Sequence, residues 1–195
     1  MKNLEETYEI PIALENLIIA SLLSQGEIDL LKSNELIVPF SKEKAFFLSS
    51  YLKQHNILDF VHVQIHKEQF KIHSNNRLKE LIDNWFNSGT KTFIQKLDSN
   101  ILRYEAIILC INLFGSRKLE SISIQTTVNK KYLRTVTYCI EQVLKVPVIP
   151  GKNQIKIPDV LELIIKSIDH LDTINSTELT TYLNSMEKNR LINNA

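Results

Sequence analysis

The chain has little of what bends, staples or anchors a polypeptide: among 195 residues there are four glycines, five prolines, two cysteines and one tryptophan. Cys110 and Cys139 lie in apolar helical contexts without metal-ligand spacing, so they read as reduced core residues rather than a disulfide framework or a zinc site. No apolar run approaches the roughly 20 residues that a membrane span requires. The start, MKNLEETYEI, offers neither an apolar h-region nor an Arg-rich, acid-poor presequence, so no signal or transit peptide is expected. Large net charge is missing too. A formal charge of +1, with 44% apolar and 23% charged residues, speaks for an ordinary folded chain and against disorder or a broad nucleic-acid glove. The length suffices to bury a core without staples, as one domain or two small packed repeats.

The near balance of charge hides an uneven distribution. The first 35 residues hold seven acids (Glu5, Glu6, Glu9, Glu15, Glu27, Asp29, Glu35) against Lys2 and Lys32. Between Asn129 and Lys156, six bases (Lys130, Lys131, Arg134, Lys145, Lys152, Lys156) face Glu141 alone. A polyanion would prefer the second half. Heavy use of Ile, Asn and Lys matches AT-rich coding, so a mitochondrion or another organelle is the expected setting.

Two stretches share one plan. Ile12 to Gly26, IALENLIIASLLSQG, and Tyr104 to Gly115, YEAIILCINLFG, are runs of helix-forming apolar residues that each stop at a glycine. The glycines are expected to accept positive φ, end the helix and release the chain into a strand. Both helices are apolar nearly all round, so they are expected to bury one another.

After the first come short β-like runs, Glu27 to Lys32 and Leu36 to Phe40, across a polar turn at Ser33-Asn34-Glu35. Ser41 is expected to cap a helix from Lys42 to His55 whose apolar face is Ala45, Phe46, Leu48 and Leu52. Phe60 to His66 alternates, placing Val61, Val63 and Ile65 on one face and His62, Gln64 and His66 on the other; Phe70 and Ile72 continue against Gln69, Lys71 and His73. Asn75 or Asn76 then caps a helix through Trp85 and Phe86 that ends at Gly89. In the second half Ser121 to Gln125 reads as a strand with Ile122 and Ile124 inward, and Asn129 begins a helix carrying Val136, Ile140, Val143 and Leu144. Val146 to Ile149 and Gln154 to Ile157 form a hairpin about Pro150-Gly151, and Pro158 opens a further helix. In the tail Asn175 and Glu178 suit a capping box, with Leu179, Tyr182, Leu183, Met186 and Leu191 at helical spacing. Such a helix docks on its own core or, as the second reading, on a partner.

Ile18 to Gly26, IIASLLSQG, resembles a worn copy of the LAGLIDADG motif of homing endonucleases and maturases. Ile107 to Gly115, IILCINLFG, sits where single-chain members carry their second copy. The resemblance implies an α+β fold of two pseudo-symmetric αββαββα repeats, with saddle-shaped antiparallel sheets and paired central helices. The division it implies is residues 1–89 as the first repeat, 90–100 as linker, 101–171 as the second repeat and 172–195 as a helical tail, in a monomer with an internal pseudo-twofold.

In that family the residue before each glycine is an acid, and the pair holds divalent metal ions at the scissile phosphates. Here those positions are Gln25 and Phe114. An amide oxygen is a weaker ligand for a hard cation than a carboxylate, and a phenyl ring is none. Glu27 and Asp29 follow the first glycine but belong to a strand beyond the helix end. The expectation is a pseudoenzyme without catalytic residues, metal or cofactor.

The saddle face that would meet nucleic acid carries His62, Gln64, His66, Lys71 and His73 from the first repeat. From the second come Ser121, Ser123, Gln125, Gln154 and Lys156, with Lys130, Lys131, Arg134, Lys145 and Lys152 able to touch phosphate. Neutral imidazoles and amides give little counterion release, so structured RNA or a ribonucleoprotein is preferred to specific DNA reading, in the role of a splicing cofactor or a ribosome-associated subunit and without a membrane. His62 and His66 share a strand face but lack a third and fourth zinc ligand. Two other readings stand beside this one: a homing endonuclease cutting DNA with magnesium through displaced acids, and a structural subunit of a larger protein complex.

Overall fold

Helix α1 (Ile12–Leu23) has no polar stripe, for every residue from Leu14 to Leu23 is buried, Glu15, Asn16 and Ser21 included. A helix of that kind has to be surrounded. A computed structural model describes residues 10–29, 35–93 and 101–193. In it α1 lies against α4 (Tyr104–Phe114), itself buried from Ala106 to Leu113, and no other two elements among the described residues pack more extensively. The two run side by side in one direction. Their starts, at Ile12, Ala13, Asn16, Arg103 and Glu105, line one cavity, and their ends, at Ser24, Gln25, Leu113 and Phe114, line another.

Each helix feeds a four-stranded antiparallel sheet. Strands β1 (Glu27–Asp29), β2 (Glu35–Pro39), β3 (Val61–Gln64) and β4 (Gln69–Ile72) pair in the order β1-β2-β4-β3. Period-two alternation buries Leu36, Val38, Phe70 and Ile72 beneath it, and one outward row runs Glu27, Ile37, Lys71, His62. Helices α2 (Ala45–Gln54) and α3 (Asn76–Trp85) complete this half, and a small hairpin, β5 (Phe86–Asn87) with β6 (Thr90–Lys91), follows.

Strands β7 (Gly115–Lys118), β8 (Ser121–Gln125), β9 (Ile149–Gly151) and β10 (Gln154–Ile157) pair as β7-β8-β10-β9, with α5 (Lys130–Leu144) and α6 (Val160–Ser167) beside them. The architecture is α+β: two such sheets, flanked by helices. Both halves follow the order helix, strand, strand, helix, strand, strand, helix. The tail is α7 (Thr173–Thr180) and α8 (Ser185–Asn193). Asn112 of α4, fully buried, donates its amide to the backbone and side-chain oxygens of Asn175 at 3.0 Å each, fixing α7 on α4.

Local chemistry moves several expected boundaries. Ser41 makes no side-chain cap; a 3-10 turn at Lys42–Lys44 precedes α2, which rotates Phe46 out to 84% exposure and puts Phe47 in the core. The strand through Ile65 and His66 stops at Gln64, because a 3-10 turn at Ile65–Lys67 ends with Glu68 at φ 50°. Ile65 is exposed for the same reason, and His66 does not share the sheet face of His62. Asn75 caps α3 through Leu78 N, but α3 ends at Trp85, and Ser88-Gly89 is the turn of the small hairpin, with φ values of 49° and 77°. Thr90 and Lys91, expected as linker, are β6; residues 94–100 and the turn at Ser33-Asn34 lie outside the described residues. The β9–β10 turn is Lys152-Asn153, not Pro150-Gly151. Asp159 caps α6, and Asp172, not Asn175, caps α7. A break at Thr181–Asn184 makes two tail helices of the one expected, leaving Met186 exposed.

The glycines at the helix ends are there for a different reason than positive φ. Gly115 has φ −69° and ψ 141°, ordinary extended backbone, and among the described residues Gly89 alone of the glycines has positive φ. What Gly26 and Gly115 lack is Cβ. A Cβ on Gly26 would sit 2.6 Å from Ser21 O, and one on Gly115 2.4 Å from Ile111 O and 2.9 Å from Ile122 Cγ2. Each helix turns so sharply into its strand that the glycine touches the last turn's own carbonyl. Gly26→Ala and Gly115→Ala are each expected to lower the unfolding free energy by about 1–3 kcal/mol in urea titrations. Gly151→Ala, whose Cβ meets only the flexible Gln154 side chain, should stay within about 0.5 kcal/mol of wild type.

Candidate functional site

The paired helices deliver their carboxyl ends to a cavity of about 780 Å³ between the two sheets. Gln25 and Phe114 both line it, so the structure brings the two positions together. Gln25 is exposed and Phe114 half-buried. The rest of the wall includes Glu43, Lys44, Lys67, Glu68, Arg117 and Tyr182, a mixed set of charges rather than an acidic one.

A helix that ends inside a protein leaves carbonyls without intrahelical partners. Here each end is sealed by a donor from elsewhere in the chain. At α1, the Lys91 ammonium donates to Leu22 O at 2.9 Å and Ser24 O at 3.2 Å, and Ser24 O also accepts from Thr127 N at 3.1 Å. At α4, the Tyr182 hydroxyl lies 2.7 Å from Ile111 O and 3.0 Å from Gly115 O, its one proton shared between them. Burial pushes the Tyr182 phenol up, with Glu178 acting in the same direction, so it stays a donor. Lys44 donates to the Tyr182 oxygen at 3.3 Å and to Glu178 at 2.6 Å. At the opposite end, Glu15 in the first turn of α1 is clamped by Arg77 at 2.6 Å and Arg103 at 3.2 Å, an acid placed where the helix dipole favours one.

The outward faces of the sheets differ in charge. On the first, Glu27, Asp29 and Glu35 accompany His62, Gln64, Lys71 and His73. Glu35 takes Lys71 and His73 at 3.2 Å each, and Gln69 donates to Gln64 at 2.7 Å. Among the described residues this face is therefore neutral to acidic, and its Lys71 is already engaged. On the second, the rows are Ser116, Ser123, Lys156 with Ile149, then Lys118 with Ser121, then Gln125 with Gln154. Ser121 and Ser123, expected at the surface, are buried between longer neighbours. Thr126 N donates to Asn153 O at 3.0 Å, which ties the approach to α5 to the β9–β10 turn that carries Lys152. Lys118, Lys130, Lys131, Arg134, Lys152 and Lys156 make no ion pair among the described residues. Lys130, Lys131 and Arg134 lie on the exposed side of α5, off the sheet face that carries Gln125 and Lys156. The expected contact set is thus two surfaces joined at a loop.

No protein-family model matches the sequence, and no curated protein matches it. The fold does have counterparts. The homing endonuclease I-WcaI bound to its DNA recognition sequence aligns over 93% of this chain and 86% of its own, with a TM-score of 0.52 at 15% identity. The chain's fold resembles that of a LAGLIDADG-like endonuclease. Full-length DUF199/WhiA from Thermatoga maritima aligns over 97% of this chain and 68% of its own, with a TM-score of 0.52 at 9% identity. At such identities the likeness is one of fold.

The residues just before Gly26 and Gly115 offer a divalent metal no carboxylate. Gln25 supplies one neutral oxygen and Phe114 none, and among the described residues no three His, Cys, Asp or Glu side chains converge on a point that could hold a metal ion. His62 and His66 lie on a strand and a separate turn. No helix of the described residues is long and apolar enough to cross a membrane. Sequence reasoning missed the roles of Lys91, Tyr182, Arg117 and Glu187: Tyr182 was visible only as a residue at helical spacing, and the bonds of Lys91 to Leu22 O, Tyr182 to Ile111 O and Arg117 to Glu187 each span 69 residues or more.

Burial pushes the Lys91 ammonium from 10.5 down to about 7, while Glu27 favours the charge. The two carbonyls at the negative end of α1 act with Glu27. Because the unfolded lysine titrates higher, the unfolded chain binds more protons between these values and stability rises with pH. Above about pH 9 the Cys110 thiol, and then the Tyr51 and Tyr182 phenols, all pushed up by burial, work the other way. From pH 7 to 9 the wild type is expected to gain at most about 1.4 kcal/mol per unit in urea melts relative to Lys91→Met. Equal slopes for the two proteins would show that this ammonium does not titrate there.

Proposed function

We propose that this chain is a non-cleaving nucleic-acid-binding protein, that its ligand is structured RNA, and that it serves as a maturase-like splicing cofactor or ribonucleoprotein subunit in an organelle. The observation that supports this reading is a group of cations without ion pairs on and beside the second sheet. Lys118 and Lys156 lie on the second sheet, Lys152 in its β9–β10 turn, and Lys130, Lys131 and Arg134 on the exposed side of α5, and none of the six makes an ion pair among the described residues.

A duplex laid along the saddle would have to face both sheets. The first presents Glu27, Asp29 and Glu35, which repel phosphate, and its Lys71 is neutralised by Glu35. A folded RNA can instead approach from the basic side alone, its irregular backbone meeting the second sheet and the start of α5. The Gln25 and Phe114 pair removes the anionic grip on metal that strand cleavage by this fold would need. Binding without cutting is the function left to the site.

Fluorescence anisotropy with a labelled RNA hairpin and a duplex DNA of equal length, over a range of salt, tests this. The hairpin is expected to bind more tightly, and Lys130→Glu with Lys131→Glu and Arg134→Glu should weaken it at least about tenfold while flattening the salt dependence by roughly two phosphate contacts. Plasmid DNA incubated with magnesium should stay uncut. Linear plasmid, or duplex DNA preferred over RNA, would overturn the reading.

A further inference from the structure

Arg117 lies on the edge strand β7 and lines two cavities: the one at the helix ends, and a second of about 640 Å³ whose wall includes Lys118, Ser123, Gln154 and Lys156 and one carboxylate, Glu120. Its guanidinium holds the Glu187 carboxylate of α8 in a two-bond fork, Nη1 to Oε2 at 2.7 Å and Nη2 to Oε1 at 2.8 Å. Arginine makes the same fork with phosphate. Nε donates to Leu119 O at 2.7 Å and Nη1 also donates to Tyr182 O, so the guanidinium plane is fixed by backbone as well as by its ion pair.

Among the described side chains of the helix that supplies the carboxylate, Leu191 is the apolar one that packs against the core. Leu179, Tyr182 and Leu183 are buried and keep α7 and its turn in place. In α8, Met186 is 71% exposed, Lys188, Asn189 and Arg190 are exposed, and Leu191 is half-buried. Glu187 anchors it, pairing with Arg117 and closing a reciprocal cap with Asn184, whose N donates to Glu187 Oε2 at 2.8 Å and whose Oδ1 accepts from Glu187 N at 2.9 Å. The Arg117 guanidinium, together with that cap, holds the Glu187 carboxyl below the usual carboxylate range, so it is an anion at neutral pH.

A carboxylate is therefore seated in an arginine fork at the rim of a cavity that also carries two unpaired lysines. We propose that Arg117, Lys118 and Lys156 form a phosphate-binding site on the second sheet, and that α8 plugs it with Glu187 until a phosphate-bearing ligand takes its place. The ligand is a backbone phosphate of nucleic acid, which rests on the function proposed above; the site itself is testable with inorganic pyrophosphate alone. The plug exchanges one anion for another at the same guanidinium, so no buried charge is left unpaired at either end of the exchange.

The test uses full-length chains: wild type, Glu187→Gln, Arg117→Gln and the double variant, with Arg117→Lys to keep the charge should Arg117→Gln fail to fold. Glu187→Gln weakens the plug without removing the helix. It is expected to tighten hairpin RNA binding about three- to tenfold and to steepen the salt dependence by about one phosphate contact. Arg117→Gln should cost little in wild type, where the guanidinium is occupied, and should abolish the whole gain in the Glu187→Gln background. Pyrophosphate should raise the melting temperature of Glu187→Gln more than that of wild type. Pyrophosphate stabilisation that needs Arg117, without RNA binding by any variant, supports the site and overturns the RNA reading. Glu187→Gln indistinguishable from wild type with both probes, or a gain that survives Arg117→Gln, overturns the site.

Discussion

Two helices buried on every side must find hydrogen-bond partners for their last carbonyls inside the protein, and much of the structure follows from how α1 and α4 do so. At the end of α1 the Ser24 hydroxyl turns back to Ser21 O at 3.0 Å. The remaining acceptors take Lys91 from the hairpin after α3 and Tyr182 from the tail. Those two donors explain why the small hairpin is pulled under α1 and why the tail folds back over α4. They also change the electrostatics of the helix ends. The last carbonyls of α1 are answered by an amine of the chain's own, and those of α4 by a phenol.

The second consequence concerns which surface is left to act. Several basic side chains are spent within the protein: Lys44 on Glu178, Lys71 on Glu35, Arg77 on Glu15 and Glu80, and Arg117 on Glu187. The effect of these pairs is to quench charge where they form, whereas the lysines of the second sheet and the start of α5 keep theirs. The overall charge of +1 conceals this, because it is the difference between a paired population and an unpaired one.

What the sequence made legible was decided by short-range periodicity. The all-apolar runs placed α1 and α4 against each other, and alternation placed Leu36, Val38, Phe70 and Ile72 inside the first sheet, since both patterns depend only on neighbours along the chain. Asn75 and Asn129 were found as caps on the same ground. Phe46 and Ile65 were misplaced because a single 3-10 turn shifts the phase of everything beside it, and neither Lys42–Lys44 nor Ile65–Lys67 carries a glycine or proline to announce one. The glycines at the helix ends were located correctly and explained wrongly, as close approach and positive φ favour the same residue. Of the candidate contacts, the charge run around Lys130 was visible, whereas the neutralisation of Lys71 by Glu35 joins residues 36 positions apart and has no local signature.

Asn112 gives the tail a standing that its position at the end of the chain does not suggest. Its amide nitrogen, at the centre of a fully buried helix, has both of its contacts on Asn175. A shortened chain would strand that amide in hydrocarbon, at a cost of a few kcal/mol. The two asparagines are therefore free to drift only as a couple: a lineage that discarded α7 would first have to turn position 112 apolar, and one that keeps the amide inherits the helix that answers it.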